Sequence, residues 1–234
     1  MFFSILSNLL CGLTDVCWFW AYKASHKDHL NKLKDLVPDQ AQAFADYNAG
    51  VFKEGALSKK EKEIIAVSVA HVTQCPYCID THTKNAKKEG AELGELVEAV
   101  MVTSAVEAGG AITHSTNMHN ALSDEAGDTL YERSNLKNLN QLGKHAKDGF
   151  QGYSGFNQAA MQEGKLSKKF KEIVAVAVGH ATLCPYCIDV HTKNADKQGA
   201  TNEELAEAVL VASALLAGGS YAHMVNMIES FSEE

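Results

Sequence analysis

The chain has 234 residues, a formal net charge of -8, 46% hydrophobic residues and 21% charged residues, a composition that fits one large or two small globular domains and excludes a disordered chain. An acidic chain without a run of lysine and arginine argues against a nucleic-acid partner, because that contact begins with the neutralisation of phosphates. The 6 cysteines are too few for a secreted disulfide scaffold, so we expect a cytoplasmic protein whose cysteines bind metal or take part in redox chemistry.

Residues 1–21 form the first predicted element, an amphipathic helix. Its apolar residues recur at helical spacing, and Asn8, Thr14 and Asp15 interrupt the run well short of the ~18 apolar residues of a membrane span. We therefore expect this helix to dock on the core or on a neighbouring subunit, and we expect no membrane contact. A cleaved or membrane-associated leader is the alternative. Cys11 and Cys17 suit packed apolar positions better than ligand positions.

The rest of the chain is a tandem duplication. Cys75 and Cys184 begin the same motif, and from residue 55 onward the two copies are identical at about two-thirds of their positions. We place the first repeat at residues 22–125 and the second at 131–234, joined by a polar, turn-forming stretch at 123–128. Each repeat is small for an independent core, so we expect the two to pack against each other about a pseudo-two-fold axis.

Helix signals are clear inside each repeat and β-hairpin signals are missing, so the predicted fold class is all-α. Ser58 and Glu61 form a capping box before one apolar helix, and Ser167 caps its counterpart. A Cys-Pro-Tyr-Cys motif then opens the next helix in each copy, because proline favours the first helical turn.

A third helix follows in each repeat. We predict that it ends at a glycine pair, residues 109–110 in one copy and 218–219 in the other, because glycine is common just after a helix C-terminus. A final short helix would then carry His114 in the first repeat and His223 in the second.

The duplicated motif carries the predicted chemistry. In the first copy Cys75 starts a helix, Cys78 follows one turn later, His82 lies four residues further along the same face, and Glu63 lies on the preceding helix. The helix dipole favours a thiolate at the first cysteine, the histidine can take a proton from the second, and the glutamate can orient that histidine. The second copy has the same residue types in Glu172, Cys184, Cys187 and His191.

The residues alone leave other uses of the cysteines open. The two pairs could form a four-thiolate zinc site if they met in space, each pair could bind a metal with its histidine, or each could be a plain structural disulfide. We predict no metal and no cofactor, because the surrounding helices are apolar enough to fold without one. Weaker candidates for a role in the site are Tyr77, Tyr186, His71, His180, His114 and His223.

The pattern Glu-x11-Cys-x2-Cys-x3-His, carried by Glu63, Cys75, Cys78 and His82, resembles the alkylhydroperoxidase D-like branch of the carboxymuconolactone decarboxylase family. The resemblance covers the core of both repeats. It implies an all-α fold of two tandem alkylhydroperoxidase D-like helical repeats, in which each cysteine pair starts a buried helix.

The resemblance also implies thiol peroxidase or disulfide reductase activity at two sites per chain. Cys78 and Cys187 would attack the hydroperoxide, and Cys75 and Cys184 would resolve the product. Electrons would come from a dithiol donor, such as a lipoamide-bearing or thioredoxin-like protein, and could pass to a peroxiredoxin. The familiar peroxidase has a histidine between its cysteines where this chain has tyrosine, so one relay partner is missing.

Three alternatives to the peroxidase remain: a dithiol electron-transfer adaptor, a carboxymuconolactone decarboxylase-like enzyme, and a zinc-binding module. The true decarboxylases of the family lack the cysteine pair, which makes decarboxylation the poorer match. Members of the family form rings of such units, commonly six, and three duplicated chains would supply one ring. We therefore predict a homotrimer, with the helix at 1–21 covering a neighbouring subunit.

Overall fold

The computed structural model describes residues 30–122, 129 and 131–232, which form ten α-helices, one 3₁₀ helix and no strand. The all-α prediction is confirmed. The predicted helix at 1–21, with Cys11 and Cys17, and the predicted joint at 123–128 lie outside the described residues.

The same five helices follow one another in each repeat. In the first they are α1 (Leu30–Leu36), α2 (Pro38–Val51), α3 (Lys59–Val72), α4 (Pro76–Lys88) and α5 (Leu93–Ala121). In the second they are α6 (Leu139–His145), α7 (Lys147–Met161), α8 (Lys168–Ala181), α9 (Pro185–Lys197) and α10 (Asn202–Ser232), preceded by the 3₁₀ helix Arg133–Asn138. This correspondence agrees with the tandem duplication, and the repeat limits at 22–125 and 131–234 stay predictions.

The predicted caps begin α3 and α8. The Ser58 side chain accepts the N–H of Glu61 at 3.3 Å, and the Glu61 carboxylate accepts the N–H of Ser58 at 2.8 Å. Ser167 accepts the N–H of Phe170 at 3.2 Å, and the phenylalanine cannot return a bond. The capping box in the first repeat and the serine cap in the second are confirmed.

A left-handed residue separates each apolar helix from its cysteine helix. Gln74 has φ 53° and Leu183 has φ 55°, and each reverses the chain directly before a cysteine. After Gln74, the N–H of Cys75 bonds back to the carbonyl of Ala70 at 3.3 Å. This helix-ending turn satisfies a carbonyl of α3 and places the cysteine at the N-cap of α4.

The prediction that the glycine pairs end a helix is wrong. α5 continues through residues 109–110, and α10 continues through 218–219. His114 and His223 therefore lie on these two long helices and not on separate short ones.

Close packing explains the first glycine of the pair in α5, Gly109, whereas a Cβ on Gly110 would make only ordinary contacts. A Cβ on Gly109 would lie 2.5 Å from the Tyr153 Oη, and a Cβ on Gly110 would lie 3.9 Å from the sulfurs of both second-repeat motif cysteines. At Gly109, the packing of Tyr153 that this close approach permits outweighs the helix-propensity cost of glycine, about 1 kcal/mol.

The two repeats pack about a pseudo-two-fold axis, as predicted. α3 and α8 lie against each other, α10 packs on α3, and α5 packs on α8. Glu207 on α10 accepts the N–H groups of Ala56 and Leu57 at 3.0 and 2.8 Å and lies 3.2 Å from the buried ammonium of Lys62. Glu98 on α5 makes the equivalent contacts in the second repeat, with Lys165, Leu166 and Lys171.

The core is centred on α3 and α8, whose residues 62–70 and 170–179 are buried. α5 and α10 are long and apolar enough to cross a membrane by length and composition alone, a test that core helices of soluble proteins also pass. Both also supply buried side chains to this core. The absence of membrane contact stays a prediction.

Candidate redox site

The first cysteine pair occupies the start of α4. Cys75 is the N-cap residue, and its Sγ accepts the N–H of Cys78 at 3.3 Å. The Cys78 thiol donates to the same sulfur, with the two Sγ atoms 2.6 Å apart. Pro76 occupies the first helical position, where a missing N–H costs nothing. The motif therefore folds as predicted and directs two donors at one sulfur.

This arrangement holds Cys75 as a thiolate near neutral pH. The pKa of Cys75 is lowered from 9.0 to about 6, chiefly by the hydrogen bond from the Cys78 thiol. Burial opposes the shift, and the backbone N–H of Cys78 and the imidazole of His223 add to it. Charge-assisted hydrogen bonds to a buried sulfur favour its anionic form.

Glu63 and His82 form the acid–histidine pair of the first site. The Nδ1 of His82 lies 2.7 Å from the Glu63 carboxylate, which can only accept, so Nδ1 carries the proton. The other carboxylate oxygen accepts from the Asn85 side chain at 3.2 Å, and the His82 ring stacks on Phe52 at 5.3 Å. These two contacts fix the position of the ring, and in the neutral form of a histidine hydrogen-bonded through Nδ1 the other ring nitrogen can accept a proton.

A cavity of about 440 Å³ opens onto this site. Cys78 lines it together with Glu63 and His82, whereas Cys75 does not. The remaining wall is mostly apolar. Besides further residues of α4, it comes from α1, from α2 and its C-cap, and from the second repeat's α10, through Leu30, Phe44, Ala49, Phe52, Leu215 and Ala222. Of the two sulfurs, the one that a molecule in this cavity meets is therefore that of Cys78.

The second site repeats the first in another redox state. Cys184 and Cys187 form a disulfide at the start of α9, with Cα atoms 5.3 Å apart. The Nδ1 of His191 lies 2.7 Å from the Glu172 carboxylate. The structure thus brings each predicted set of four residues together within its own repeat.

The hydroxyl of Tyr77 bonds to the opposite repeat, and that of Tyr186 bonds to the 3₁₀ helix at the start of its own repeat. The hydroxyl of Tyr77 donates to Asn226 on α10 at 3.2 Å, and Asn135 donates to the Tyr186 hydroxyl at 3.3 Å. Both tyrosines are buried. Asn226 and Asn135 are absent from the predicted site, because no motif in their own part of the sequence marks them.

The long helices also bring His114 and His223 to the sites, although the sequence marked both only as weaker candidates. His223 meets the Tyr77 ring edge-on at 5.8 Å, and His114 meets the Tyr186 ring edge-on at 5.7 Å. Their recurrence at the same position of each repeat was the one signal in the sequence that pointed to them.

The other weak candidates have local roles. The Nδ1 of His71 bonds to the carbonyl of Val67 at 2.7 Å, one turn back on α3, and His180 does the same with Val176 at 2.8 Å. In the described part of the chain, no group of three or more His, Cys, Asp or Glu side chains is placed to hold a metal ion.

Comparison with known sequences agrees with the duplicated architecture. The sequence profile of the Carboxymuconolactone decarboxylase family matches residues 38–118 and 147–229. Uncharacterized protein 4 in the cox locus of Paracoccus denitrificans is 48% identical over 73 residues, which cover 31% of this chain and 66% of that protein, just under two-thirds of its length. An uncharacterized protein of Haemophilus influenzae is 35% identical over 96 residues, which cover 41% of this chain and 85% of that protein.

The fold also has a solved counterpart. A crystal structure described as a gamma-carboxymuconolactone decarboxylase subunit of Burkholderia xenovorans LB400 superimposes with a TM-score of 0.66. The match covers 86% of this chain and 88% of the other, at 20% sequence identity. At that identity the likeness concerns the fold alone.

Proposed function

Since the chain belongs to the carboxymuconolactone decarboxylase family, we propose that it is a thiol-dependent hydroperoxide reductase whose two cysteine pairs are its active sites. The observation that carries this proposal is the first site: two sulfurs 2.6 Å apart beside a cavity that also holds a glutamate–histidine pair. A dithiol beside an oriented base, in a cavity that a small molecule can enter, has the groups needed to reduce a peroxide bond.

The first step is attack by Cys78. Its proton passes to the neighbouring Cys75 thiolate, and the Cys78 thiolate attacks the outer oxygen of the hydroperoxide. The oxygen–oxygen bond breaks, a sulfenic acid forms on Cys78, and the alkoxide leaves as an alcohol after taking a proton. His82, oriented by Glu63 on the wall of the same cavity, is the group that carries this proton from solvent.

The second step closes the disulfide. Cys75 gives up its proton and attacks the Cys78 sulfur, so the sulfur–sulfur bond forms and hydroxide leaves as water. One hydroperoxide and two thiols thus give one alcohol, one water and one disulfide. The disulfide in the second repeat corresponds to this product.

Turnover then needs two electrons from outside the chain. A dithiol donor attacks the disulfide and leaves oxidised, which returns both cysteines to thiols. We propose a lipoamide-bearing or thioredoxin-like protein as this donor. The apolar wall of the cavity supports a hydroperoxide with an apolar substituent over hydrogen peroxide as the substrate.

The test is consumption of cumene hydroperoxide by the purified protein with dihydrolipoamide as reductant, compared with the Cys78→Ser/Cys187→Ser double variant. The proposal predicts turnover that the double variant lacks. No turnover with any dithiol, together with rapid donor-dependent reduction of both disulfides and transfer to a peroxiredoxin, would instead identify an electron-transfer adaptor.

A further inference from the structure

The long helix of each repeat lies against the cysteine helix of the other repeat. α10 packs on α4, and α5 packs on α9. Gly110 on α5 is close enough to the second sulfur pair that a Cβ there would touch both sulfurs at 3.9 Å, and the Thr113 hydroxyl on the same helix lies 3.9 Å from the Cys184 sulfur. Each sulfur pair is therefore enclosed partly by side chains far away in sequence.

One histidine on each long helix stands beside the opposite motif. His223 contacts the Tyr77 ring edge-on, and Asn226, one turn later on α10, accepts the hydroxyl of that same tyrosine. His114 contacts the Tyr186 ring in the same edge-on geometry. The two ring planes meet at 88° in this pair and at 90° in the pair of His223 and Tyr77. The two contacts follow the pseudo-two-fold relation, so each histidine is a repeated part of the site.

We propose that the two thiol pairs complete each other: His223, from the second repeat, stabilises the thiolate of Cys75 in the first, and His114, from the first repeat, stabilises the thiolate of Cys184 in the second. Both histidines are positioning residues that act through the sulfur. The proposal goes beyond the proposed reaction, because it concerns the reduced thiols whatever substrate oxidises them.

The charge on Cys75 supports this assignment. His223 lowers the pKa of Cys75 both through its charge and through a hydrogen bond, after the larger contribution of the Cys78 thiol. The titratable side chains around the first pair are those of Tyr77 and Cys78 on α4, His223 on α10, and Glu63 and His82 at the cavity. Glu63 already holds His82, so His223 is the imidazole directed at the buried sulfur.

The oxidised second pair shows the complementary state. With Cys184 in a disulfide, its sulfur carries no charge, and the Nε2 of His114 is buried with no hydrogen-bond partner among the described residues. A buried imidazole nitrogen without a partner is costly, which fits a group whose anionic partner exists only in the reduced form.

The test keeps one cysteine pair at a time and combines each remaining pair with a substitution of either histidine. One background carries Cys184→Ser/Cys187→Ser and so keeps the first pair; the other carries Cys75→Ser/Cys78→Ser and keeps the second. His223→Gln and His114→Gln are made in both backgrounds, and the ultraviolet absorbance of the thiolate is followed against pH in reduced protein. Cys11 and Cys17 are a constant contribution in all variants.

The proposal predicts a crossed pattern. His223→Gln raises the midpoint of thiolate formation of the first pair by about one pH unit and leaves the second unchanged, and His114→Gln does the reverse. His223→Lys, which places a positive charge at the same position, should return the first midpoint toward its original value. A variant that merely loosens the fold would raise the midpoints of both pairs. Unchanged midpoints, or shifts of the pair in the histidine's own repeat, would overturn the proposal.

Discussion

Cys75 and Cys78 lie with their sulfurs 2.6 Å apart and yet in different surroundings, since Cys78 lines the cavity and Cys75 does not. The exposed fraction of Cys75 is 1% and that of Cys78 is 6%. Two hydrogen bonds at the helix start lower the pKa of Cys75, whereas Cys78 is the sulfur that a molecule in the cavity can reach. Because a proton can move between neighbouring sulfurs, we propose that access to the cavity decides which sulfur attacks.

We therefore predict that Cys78→Ser with Cys187→Ser lowers hydroperoxide turnover on the order of a thousandfold, since the attacking sulfurs are gone. Cys75→Ser with Cys184→Ser should instead trap a sulfenic acid on Cys78 and Cys187, measured by dimedone labelling and peptide mass spectrometry. Labelling confined to Cys75 and Cys184 in the first double variant, with turnover retained, would show that acidity outweighs access.

The oxidised wild-type protein is the matched control for that experiment. Peptide mapping after peroxide treatment should find Cys75 linked to Cys78 and Cys184 linked to Cys187, with no link between the repeats. A cross-repeat link would contradict the geometry of both sites, because each pair is held within one motif on its own helix.

The low pKa of Cys75 predicts a pH-dependent stability of the reduced protein. The folded pKa of about 6 lies below the ordinary thiol value of 9.0, so the thiolate stabilises the fold fully above pH 9 and loses this contribution as pH falls through 6. Urea unfolding from about pH 5 to about pH 9 should show the reduced protein gaining stability over Cys75→Ser as pH rises. A difference that is constant across this range would contradict the prediction.

Much of the candidate site could be predicted from sequence because its parts are local. His82 lies four positions after Cys78 on one helix, and Glu63 lies on the helix directly before, so the spacing alone brings them together. The role of His223 could not be read in this way. It reaches Tyr77 only because the repeats pack about the pseudo-two-fold axis. The pseudo-two-fold axis could be predicted from the duplication. Which residues meet across it depends on the angles at which the helices cross, and the sequence does not show these.

The predicted homotrimer has a candidate contact surface. Large apolar side chains are exposed on both long helices, including Val97 at 52% and Met101 at 43% on α5 and Leu210 at 47% on α10. Light scattering should give three times the 25.3 kDa chain mass, and Met101→Glu with Leu210→Glu should lower it, because a charge in an apolar interface costs several kcal/mol. An unchanged circular dichroism spectrum would show that the variant still folds. A wild-type mass of one or two chains would reject the trimer.

The glycine pair of α5 was predicted to end a helix, but Gly109 instead lies inside α5 against Tyr153. Substitutions at these two positions test this packing. Gly109→Ala places a Cβ 2.5 Å from the Tyr153 Oη, whereas Gly155→Ala, on exposed α7, meets nothing within 4 Å. The first variant should lower the free energy of unfolding by about 2 kcal/mol through overpacking, and the second should raise it by about 1 kcal/mol by adding helix propensity. Tyr153→Phe removes the clashing oxygen and leaves the nearest ring carbon 3.5 Å from the Cβ of residue 109. In that background, Gly109→Ala should therefore lower the free energy of unfolding by at least about 1 kcal/mol less than in the wild type. Urea unfolding of the wild type, Gly109→Ala, Tyr153→Phe and the double variant gives the coupling energy between the two positions. Equal costs with and without the hydroxyl would show that Gly109 is required for some other reason than the approach of Tyr153.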